Sequence, residues 1–509
     1  MTELLALLPI LLFIALLVGL RWSAASAGLV SACAGGMVAV WAFGYPATLP
    51  NLLGPFMEAG FTTATIVWII FPALAIYEYQ ERTGATARIG QWLSSTSASP
   101  QIVALLLAWF FAMFLEGAAG FGTPVALTAP MLVALGFPPL KALVLALLGH
   151  AAGVSFGAVG TPIVPLLEAA PVDVRMLSAM ILLLHAALAW WLALLIFRLA
   201  APQEKCAAPS SWIVVPAATL LFFLPAAVLA WFAGPELPTL AGALIGGLLF
   251  VALVKWKWPS SEHAAAPAKR EMLRAGLPYL LVLLFILGTR IVSPISEVLQ
   301  QATLGWSFAG EFSGSIALLY HPGTILLLVL WVSAAFSRSD RGALVSSLRG
   351  AAGRLPPVAL ALVSVLLLAR LMVHSGMIDT LALAAAGPLG SAWPLAVPLV
   401  GALGSFVTGS ATASNIIFAD FQTATARAIG LSPLLALAGQ GFGAAIGNII
   451  APHNIVAGAA TVGLIGREGD ILKRTLPVCL IYATIGGGLL LGLDWLSRDS
   501  VTSAPARVM

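Results

Sequence analysis

Apolar stretches of about 17–25 residues recur along almost the whole sequence, and each is long enough to cross a hydrocarbon core of roughly 30 Å as a helix. Several are interrupted, so we predict about 12–14 true crossings. Composition agrees, because 60% of the residues are hydrophobic and only 9% are charged, whereas soluble domains carry about 25% charged residues. We therefore predict an all-α, polytopic transmembrane helical bundle.

The polar stretches divide this bundle. Basic residues cluster in a few loops, which the charge bias of membrane proteins assigns to the cytoplasmic side. The longest polar stretch, KWKWPSSEHAAAPAKREMLR, predicts a cytoplasmic linker at residues 256–273 between membrane halves at residues 1–255 and 274–509. The net charge of +4 fits basic cytoplasmic loops. It does not predict nucleic-acid binding, which would need a concentrated basic face.

An internal repeat connects the two halves. GTPIVP begins at Gly160, and the similar GNIIAP begins at Gly447. AGFGTP begins at Ala119, and TGSATA follows it at Thr408 with nearly the same offset. Paired interruptions at corresponding positions are typical of carriers whose binding site lies between two repeats. We predict two repeats with broken helices or re-entrant hairpins.

The first interruption is EGAAGFGTPVA, from Glu116 to Ala126. Glycine and proline disfavour a helix by about 1 and about 3 kcal/mol relative to alanine. A helix that restarts near Pro124 would point its positive N-terminus at the break, which suits a small carboxylate. The alternative is a re-entrant turn or close packing through small residues. We predict that substrate contacts Gly120, Phe121, Gly122 and Thr123.

Three more interruptions follow, SFGAVGTPIVP at residues 155–165, SFVTGSATASN at 405–415 and GQGFGAAIGNIIAPHN at 439–454. Their hydroxyls and amides can bond both the carboxylate and the hydroxyl of a 2-hydroxy acid. Singly, each would serve as polar contact between helices. Together they predict a lined cavity, with these candidate substrate ligands: Thr161, Thr408, Ser410, Thr412, Ser414, Asn415, Gln440, Asn448, His453 and Asn454.

Ionisable residues inside a membrane are costly and usually functional. Glu116, beside the first interruption, is the main candidate to carry a coupled proton, unless it is an interfacial carboxylate that stays in water. His453 and Asp420 are the further proton candidates. Arg290 and Arg370 each end an apolar run, and either can pair with a substrate carboxylate or extend its side chain to the headgroups.

Motifs of enzymes do not fit this context. GVSFG, at residues 153–157, matches the G-x-S-x-G pattern, but that nucleophile needs a strand-to-helix turn in an α/β sheet. The sequence contains no H-E-x-x-H, P-loop or EF-hand pattern. We therefore expect no enzyme, no cofactor and no metal site.

The segment FLEGAAGFGTPVA closely resembles the most recognisable motif of the lactate and glycolate permeases. FVTGSATASNIIF and GAAIGNIIAPHNIVAGAATVGLIGREGD resemble the C-terminal motifs of that family. The resemblance covers nearly the whole chain and implies uptake of lactate or glycolate with protons across a bacterial inner membrane. The paired breaks resemble those of the broader ion-transporter superfamily, which implies an elevator-like movement. A homodimer is left open.

Two positions depart from the family pattern. Ala411 stands where lactate permeases are expected to have a polar residue, often Asp or Asn, and His453 stands where several have Gln. Both sites are expected to face substrate, so the choice among small 2-hydroxy acids stays open. A sodium-coupled carboxylate carrier and a passive anion channel are the alternatives to a proton-coupled carrier.

Overall fold

The computed structural model describes residues 1–120, 122–201, 210–258, 269–337 and 341–502. Within these ranges, thirteen helical segments are long and apolar enough to cross a membrane. The predicted all-α polytopic bundle of about 12–14 spans is therefore confirmed. Phe121 and most of the predicted linker lie outside the described residues, so the predicted division at residues 256–273 stays a prediction.

The first part of the chain contains thirteen helices in its described residues. Two π-helical turns, Ala15–Gly19 and Leu105–Phe111, continue α1 and join α5 to α6. The 3₁₀ turns Ala151–Phe156 and Thr161–Ile163 flank α9. The helices are α1 (Thr2–Ile14), α2 (Ala24–Phe43), α3 (Leu49–Arg82), α4 (Ala85–Ser94), α5 (Pro100–Ala104), α6 (Ala112–Ala118), α7 (Thr123–Ala134), α8 (Pro139–His150), α9 (Gly157–Gly160), α10 (Val164–Ala169), α11 (Val174–Leu199), α12 (Ser211–Ala233) and α13 (Pro238–Lys257).

The second part adds ten helices and a β-hairpin among its described residues. The 3₁₀ turns Gly390–Ala392 and Asn448–Ile450 precede α19 and α22. The elements are α14 (Lys269–Ile291), α15 (Ser293–Gln301), β1 (Thr303–Phe308), β2 (Phe312–Ala317), α16 (Pro322–Ser337), α17 (Arg341–His374), α18 (Met377–Leu389), α19 (Trp393–Thr408), α20 (Ala411–Ile429), α21 (Pro433–Gly447), α22 (Pro452–Thr461) and α23 (Glu468–Thr502).

The antiparallel hairpin, with Thr303 opposite Ala317, is the one element type that the sequence interpretation did not include. It packs on α3, where the Phe312 ring occupies the space beside Gly54. Trp306 meets Phe61 edge to face at 6.0 Å between ring centroids. These contacts make the hairpin a cap on one end of the bundle.

The helix boundaries repeat along the chain. Helices α3 and α17 are both 34 residues long, and they begin at Leu49 and Arg341. Three further pairs of helices follow in the same order: α7 and α20, α8 and α21, and α11 and α23. In each pair the second helix begins at nearly the same distance along the chain from the first as α17 does from α3. The predicted pair of repeats is therefore visible in the order and spacing of the helices.

The broken segments lie in the middle of the bundle. Every residue is buried in the most apolar stretch of Pro139–Ala169, and 94% are buried in that of Pro433–Thr461. By contrast, only 28% are buried in the first segment, Thr2–Gly19. Irregular backbone needs such a location, because a freed N–H or C=O facing lipid has no hydrogen-bond partner.

Glycines allow α19 and α21 to cross closely. A Cβ on Gly443 would overlap the carbonyl of Pro398, and one on Gly447 would lie 2.5 Å from the carbonyl oxygen of Ala402. The obstacle is backbone in both cases, so it cannot move aside as a flexible side chain would. Small residues at such crossings bring helix backbones together, which is a common source of packing energy in membranes.

This crossing gives the first prediction. Gly443→Ala should lower thermal stability, because overpacking costs about 1–3 kcal/mol, more than the gain of about 1 kcal/mol in helix propensity. Gly488→Ala is the matched control, since no atom lies within 4 Å of a Cβ at that helical position. The melting temperatures in detergent should fall for Gly443→Ala and hold or rise for Gly488→Ala. Equal behaviour of the two variants would contradict the close crossing.

Candidate functional site

The first break separates α6 from α7. Gly120 (φ +63°) and Gly122 (φ +76°) adopt left-handed backbone, which an L side chain strains. The Thr123 hydroxyl donates to the freed carbonyl of Gly120 at 2.7 Å. Gly122 is the N-cap of α7 and Pro124 lies in its first turn, so the helix restarts as the sequence predicted.

The second break is longer and more strained. Ala158 (φ +42°) and Val159 (φ +55°) have left-handed backbone before Gly160 (φ +80°). Such a conformation is an outlier for a β-branched residue and is held here by burial in the bundle. Thr161 repeats the role of Thr123, since its hydroxyl donates to the carbonyl of Ala158 at 2.6 Å.

The breaks of the second repeat are also built from glycine, hydroxyl side chains and proline. Gly409 is left-handed (φ +75°) and ends α19, and the Ser410 hydroxyl caps α20 by accepting from the amide of Ala413 at 3.4 Å. After α21, the turn Asn448–Ile450 leads to Pro452, which opens α22. The helices α7, α20 and α22 thus all begin at a break.

The two repeats meet crosswise at these breaks. Helix α7, which follows the first break of one repeat, packs against α22, which follows the second break of the other. Reciprocally, α10 packs against α20. The Asn415 amide strengthens this second contact by donating to the carbonyl of Pro162 at 2.8 Å. All four interruptions are therefore collected at one place in the bundle.

A cavity of about 1070 Å³ opens where the breaks meet. Its wall includes the first residues or caps of α7, α20 and α22, so three helix N-termini with their partial positive charge face it. Ten predicted site residues line it, together with Ala411: Glu116, Gly120, Gly122, Thr161, Thr408, Ser410, Thr412, Asn448, His453 and Asn454.

Glu116 is the buried carboxylate in the wall of this cavity. It is 6% exposed, and no hydrogen bond or ion pair joins it to another described residue. One carboxylate oxygen occupies the place that a Cβ on Gly157 would take. It lies 3.5 Å from the corresponding position on Gly120. The side chain is therefore wedged between the first and second breaks.

Four predicted ligands lie behind the cavity wall instead. Thr123 bonds the Gly120 carbonyl. Ser414 donates to the carbonyl of Gly401 at 2.8 Å, and the Gln440 amide donates to the Ser414 hydroxyl at 3.2 Å and to the Asn415 side chain at 3.3 Å. These groups bond the protein itself and hold the broken helices, and their contact with substrate stays a prediction.

The two arginines also lie outside the cavity wall. Arg290 donates to Glu236 at 2.7 Å and stacks over Tyr320 at 3.7 Å. Arg370 donates to Glu168 at 2.7 Å. Each guanidinium already has a carboxylate partner, so neither is placed to bind a substrate in the cavity. Asp420 lies in the electrostatic range of Arg370 and does not line the cavity either.

Arg21 is a lining residue that the sequence interpretation missed. It follows α1 with left-handed backbone (φ +56°) and shares the wall with Glu468, whose carboxylate accepts from the backbone amide of Gly466 at 3.0 Å. The sequence feature that could have indicated it is the position of this arginine directly after the first apolar run. Gly157 was missed as well, because its use depends on the Glu116 carboxylate, which belongs to a different break.

Broken helices from two repeats, enclosing a cavity with a buried carboxylate, define a membrane carrier of small solutes. The profile of the L-lactate permease family matches residues 2–493. The chain belongs to this family. It is therefore a transporter and not an enzyme, and a multi-pass protein of the bacterial inner membrane.

Three relatives illustrate the similarity. The putative L-lactate permease of Haemophilus influenzae is 30% identical over 471 residues, 83% of this chain and 85% of the relative. The L-lactate permease of Bacillus subtilis is 29% identical over 94% of this chain and 93% of its own. The glycolate permease GlcA of Escherichia coli is 27% identical over 96% and 94%.

The wedge at Glu116 gives the second prediction. Gly157→Ala should abolish or strongly reduce uptake while the protein still reaches the membrane, because the added methyl displaces the Glu116 carboxylate. Gly60→Ala is the control, since a Cβ there has no neighbour within 4 Å. Uptake of labelled substrate per folded protein measures the effect. Full activity of Gly157→Ala would show that Glu116 does not need this position.

Proposed function

We propose that the protein imports lactate, glycolate or a related small 2-hydroxy monocarboxylate by proton symport with alternating access. One observation carries the proposal. The cavity combines three helix N-termini, which favour an anion, with one buried carboxylate that has no cation beside it among the described residues.

The choice of substrate follows from the cavity lining and from the relatives. Hydroxyls of Thr408, Ser410 and Thr412 and the amides of Asn448 and Asn454 offer several hydrogen bonds over a short distance. A small acid with a carboxylate and a hydroxyl can use both kinds of partner. Relatives that are named L-lactate permease and glycolate permease support the same class of solute.

The proposed coupling to a proton follows from the electrostatics of the cavity. A substrate anion and an ionised Glu116 would repel each other strongly in a cavity of low dielectric constant. A proton on Glu116 removes that repulsion, so proton and substrate favour each other's binding, and this coupling is reciprocal. His453 lines the cavity and stays a second proton candidate. Asp420 is the weaker candidate because it lies outside.

Alternating access is supported by a polar network at the end of α17 that follows its cavity-lining residues, which lie between positions 357 and 365. The rim of the cavity includes Arg21 and Glu468, and Glu468 follows the basic residue Arg467 on the side assigned to the cytoplasm. Towards the other side, Arg370 of α17 pairs with Glu168 of α10, and His374 contacts Glu58 of α3 at 2.8 Å. Thr62 of α3 also donates to Glu168 at 3.2 Å. This network joins a broken helix to the long helices, and in the proposed mechanism it closes that face.

The third prediction separates the coupling ions. Reconstituted vesicles should accumulate lactate or glycolate when an inward proton gradient is imposed, and an inward sodium gradient alone should have no effect. Glu116→Gln should lose the pH dependence of uptake but keep exchange of labelled for unlabelled substrate, because the neutral amide mimics the protonated acid. Glu297→Gln, an exposed carboxylate of α15, is the control.

Three outcomes would contradict the proposal. Accumulation that needs sodium would favour the sodium-coupled alternative. Flux without counterflow exchange would favour a passive anion channel. An unchanged pH profile of Glu116→Gln would remove this residue from the proton path.

The fourth prediction tests the sealed face. In a chain without native cysteines, Thr62→Cys should react slowly with an impermeant thiol reagent added outside, because Thr62 is 5% exposed. Adding Arg370→Gln should raise the labelling rate by about 2–5-fold, since an ion pair between partly exposed side chains contributes up to about 1 kcal/mol. Arg175→Gln, at an exposed position of α11, is the matched control. Equal labelling in both backgrounds would show that the ion pair does not close this face.

A further inference from the structure

Arg21 lies at the rim of the cavity, on the side assigned to the cytoplasm. It is exposed, and it is the one arginine or lysine among the described residues that line the cavity. The wall also contains two carboxylates, Glu116 and Glu468, and the imidazole of His453. An anion that enters from this side therefore meets a single side chain with a permanent positive charge.

The backbone at this position would suit glycine better than arginine. Arg21 has a φ of +56° just after the π-helical turn Ala15–Gly19, and the amide of Trp22 closes the turn by donating to the carbonyl of Leu16 at 3.0 Å. The left-handed residue that ends a helix is usually glycine, because any other residue pays about 1–2 kcal/mol for this conformation. A backbone outlier of this kind at the edge of a cavity points to a function of the side chain.

The guanidinium of Arg21 is available to a ligand, since no hydrogen bond or ion pair joins it to another described residue. The nearby Arg467 differs, because it forms an ion pair with Asp470 at 2.9 Å and does not line the cavity. Glu468 is close enough to interact electrostatically with Arg21, while its carboxylate accepts from the amide of Gly466 at 3.0 Å. An incoming anion therefore has one carboxylate to compete with for this guanidinium.

A helix N-terminus adds to the positive potential beside Arg21. Helix α2 begins at Ala24, and both Ala24 and its N-cap residue Ser23 line the cavity. The Ser23 hydroxyl pairs one freed amide, that of Ser26, at 3.2 Å. The partial positive charge of this helix end favours an anion as well.

We propose that Arg21 forms a second binding site for the substrate carboxylate, at the cytoplasmic rim and separate from the breaks. A carboxylate that arrives from the cytoplasm binds the guanidinium before it reaches the N-termini of α7, α20 and α22, and a departing one binds it last. Glu468 competes for the same guanidinium and so promotes release. The inference rests on the proposed transport of small carboxylates and adds the place at which they enter and leave.

The contribution of this site is limited by its exposure to water. Opposite unit charges about 4 Å apart attract each other by about 1 kcal/mol in water, which corresponds to a factor of about 5. Charges at the entrance of a cleft act mainly on the rate of capture, and salt screens them. Arg21 should therefore accelerate capture from the cytoplasm at low salt and leave capture from the other face unchanged.

The test is exchange of labelled for unlabelled lactate or glycolate in inside-out and right-side-out vesicles, at equal pH on both sides and with saturating substrate on the opposite side. Arg21→Gly suits the left-handed backbone, so the variant should fold normally. Its kcat/KM at the cytoplasmic face should fall by about 2–5-fold at about 10 mM salt, and the value at the other face should not change. At about 1 M salt, where the Debye length is about 3 Å, the difference should disappear.

Three further variants separate charge from structure. Arg21→Lys keeps the charge and should keep most of the kcat/KM at the cytoplasmic face. Glu468→Gln can still accept from the Gly466 amide but no longer competes for Arg21, so it should raise this kcat/KM by a similar factor. Arg349→Gln is the matched control, since Arg349 is an exposed arginine of α17 on the same side that does not line the cavity.

The results that would overturn the inference differ from those that would overturn the proposed function. An unaltered protein that exchanges neither lactate nor glycolate would contradict the proposed function. If the unaltered protein exchanges them, an unchanged kcat/KM of Arg21→Gly at low salt would contradict the rim site. Equal losses at both faces, a loss that persists at high salt, or an equal loss in Arg349→Gln would also contradict it.

Discussion

The need to give every backbone N–H and C=O a hydrogen-bond partner governs this structure. A bilayer offers none, so a helix can be broken only where protein or water surrounds the break. Three of the four breaks accordingly lie in or directly after the most buried segments of the bundle, Pro100–Ala118, Pro139–Ala169 and Pro433–Thr461. Several freed carbonyls are met by side chains from the same motifs: Thr123 serves Gly120, Thr161 serves Ala158, and Asn415 of one repeat serves Pro162 of the other. The helix ends that remain unpaired face the cavity, where an anion can complete them.

Charge is distributed according to the same logic. Glu236 and Glu168 each have an arginine, and these pairs connect helices away from the cavity. Glu116 has no such partner and is the one buried carboxylate, among the described residues, that lines the cavity. A buried charge without a partner is costly unless it is neutralised. Proton binding at Glu116 and anion binding at the helix N-termini therefore reduce one another's cost, which is the physical basis of the proposed symport.

The sequence predicted those features whose signal is local. Glycine and proline within an apolar run mark a break, so all four interruptions were placed correctly, and the nearly constant offset between motifs revealed the repeats. Pairings across the fold carry no such signal. Arg290 and Glu236 are separated by 54 residues, and Arg370 and Glu168 by 202, so each arginine was interpreted as a free partner for substrate. The same limit applies to Gln440, whose polar neighbours are known only once α20 and α21 are packed. The hairpin of β1 and β2 was missed because its strands are short and lie among apolar helices.

The central claim is that substrate binds where the breaks of the two repeats meet, and a structure of the protein with bound lactate tests it most directly. The proposal predicts the substrate carboxylate within hydrogen-bond distance of the first amides of α7, α20 or α22, in the cavity that Glu116 lines. Lactate bound instead at Arg290 or Arg370, with their carboxylate partners displaced, would contradict it.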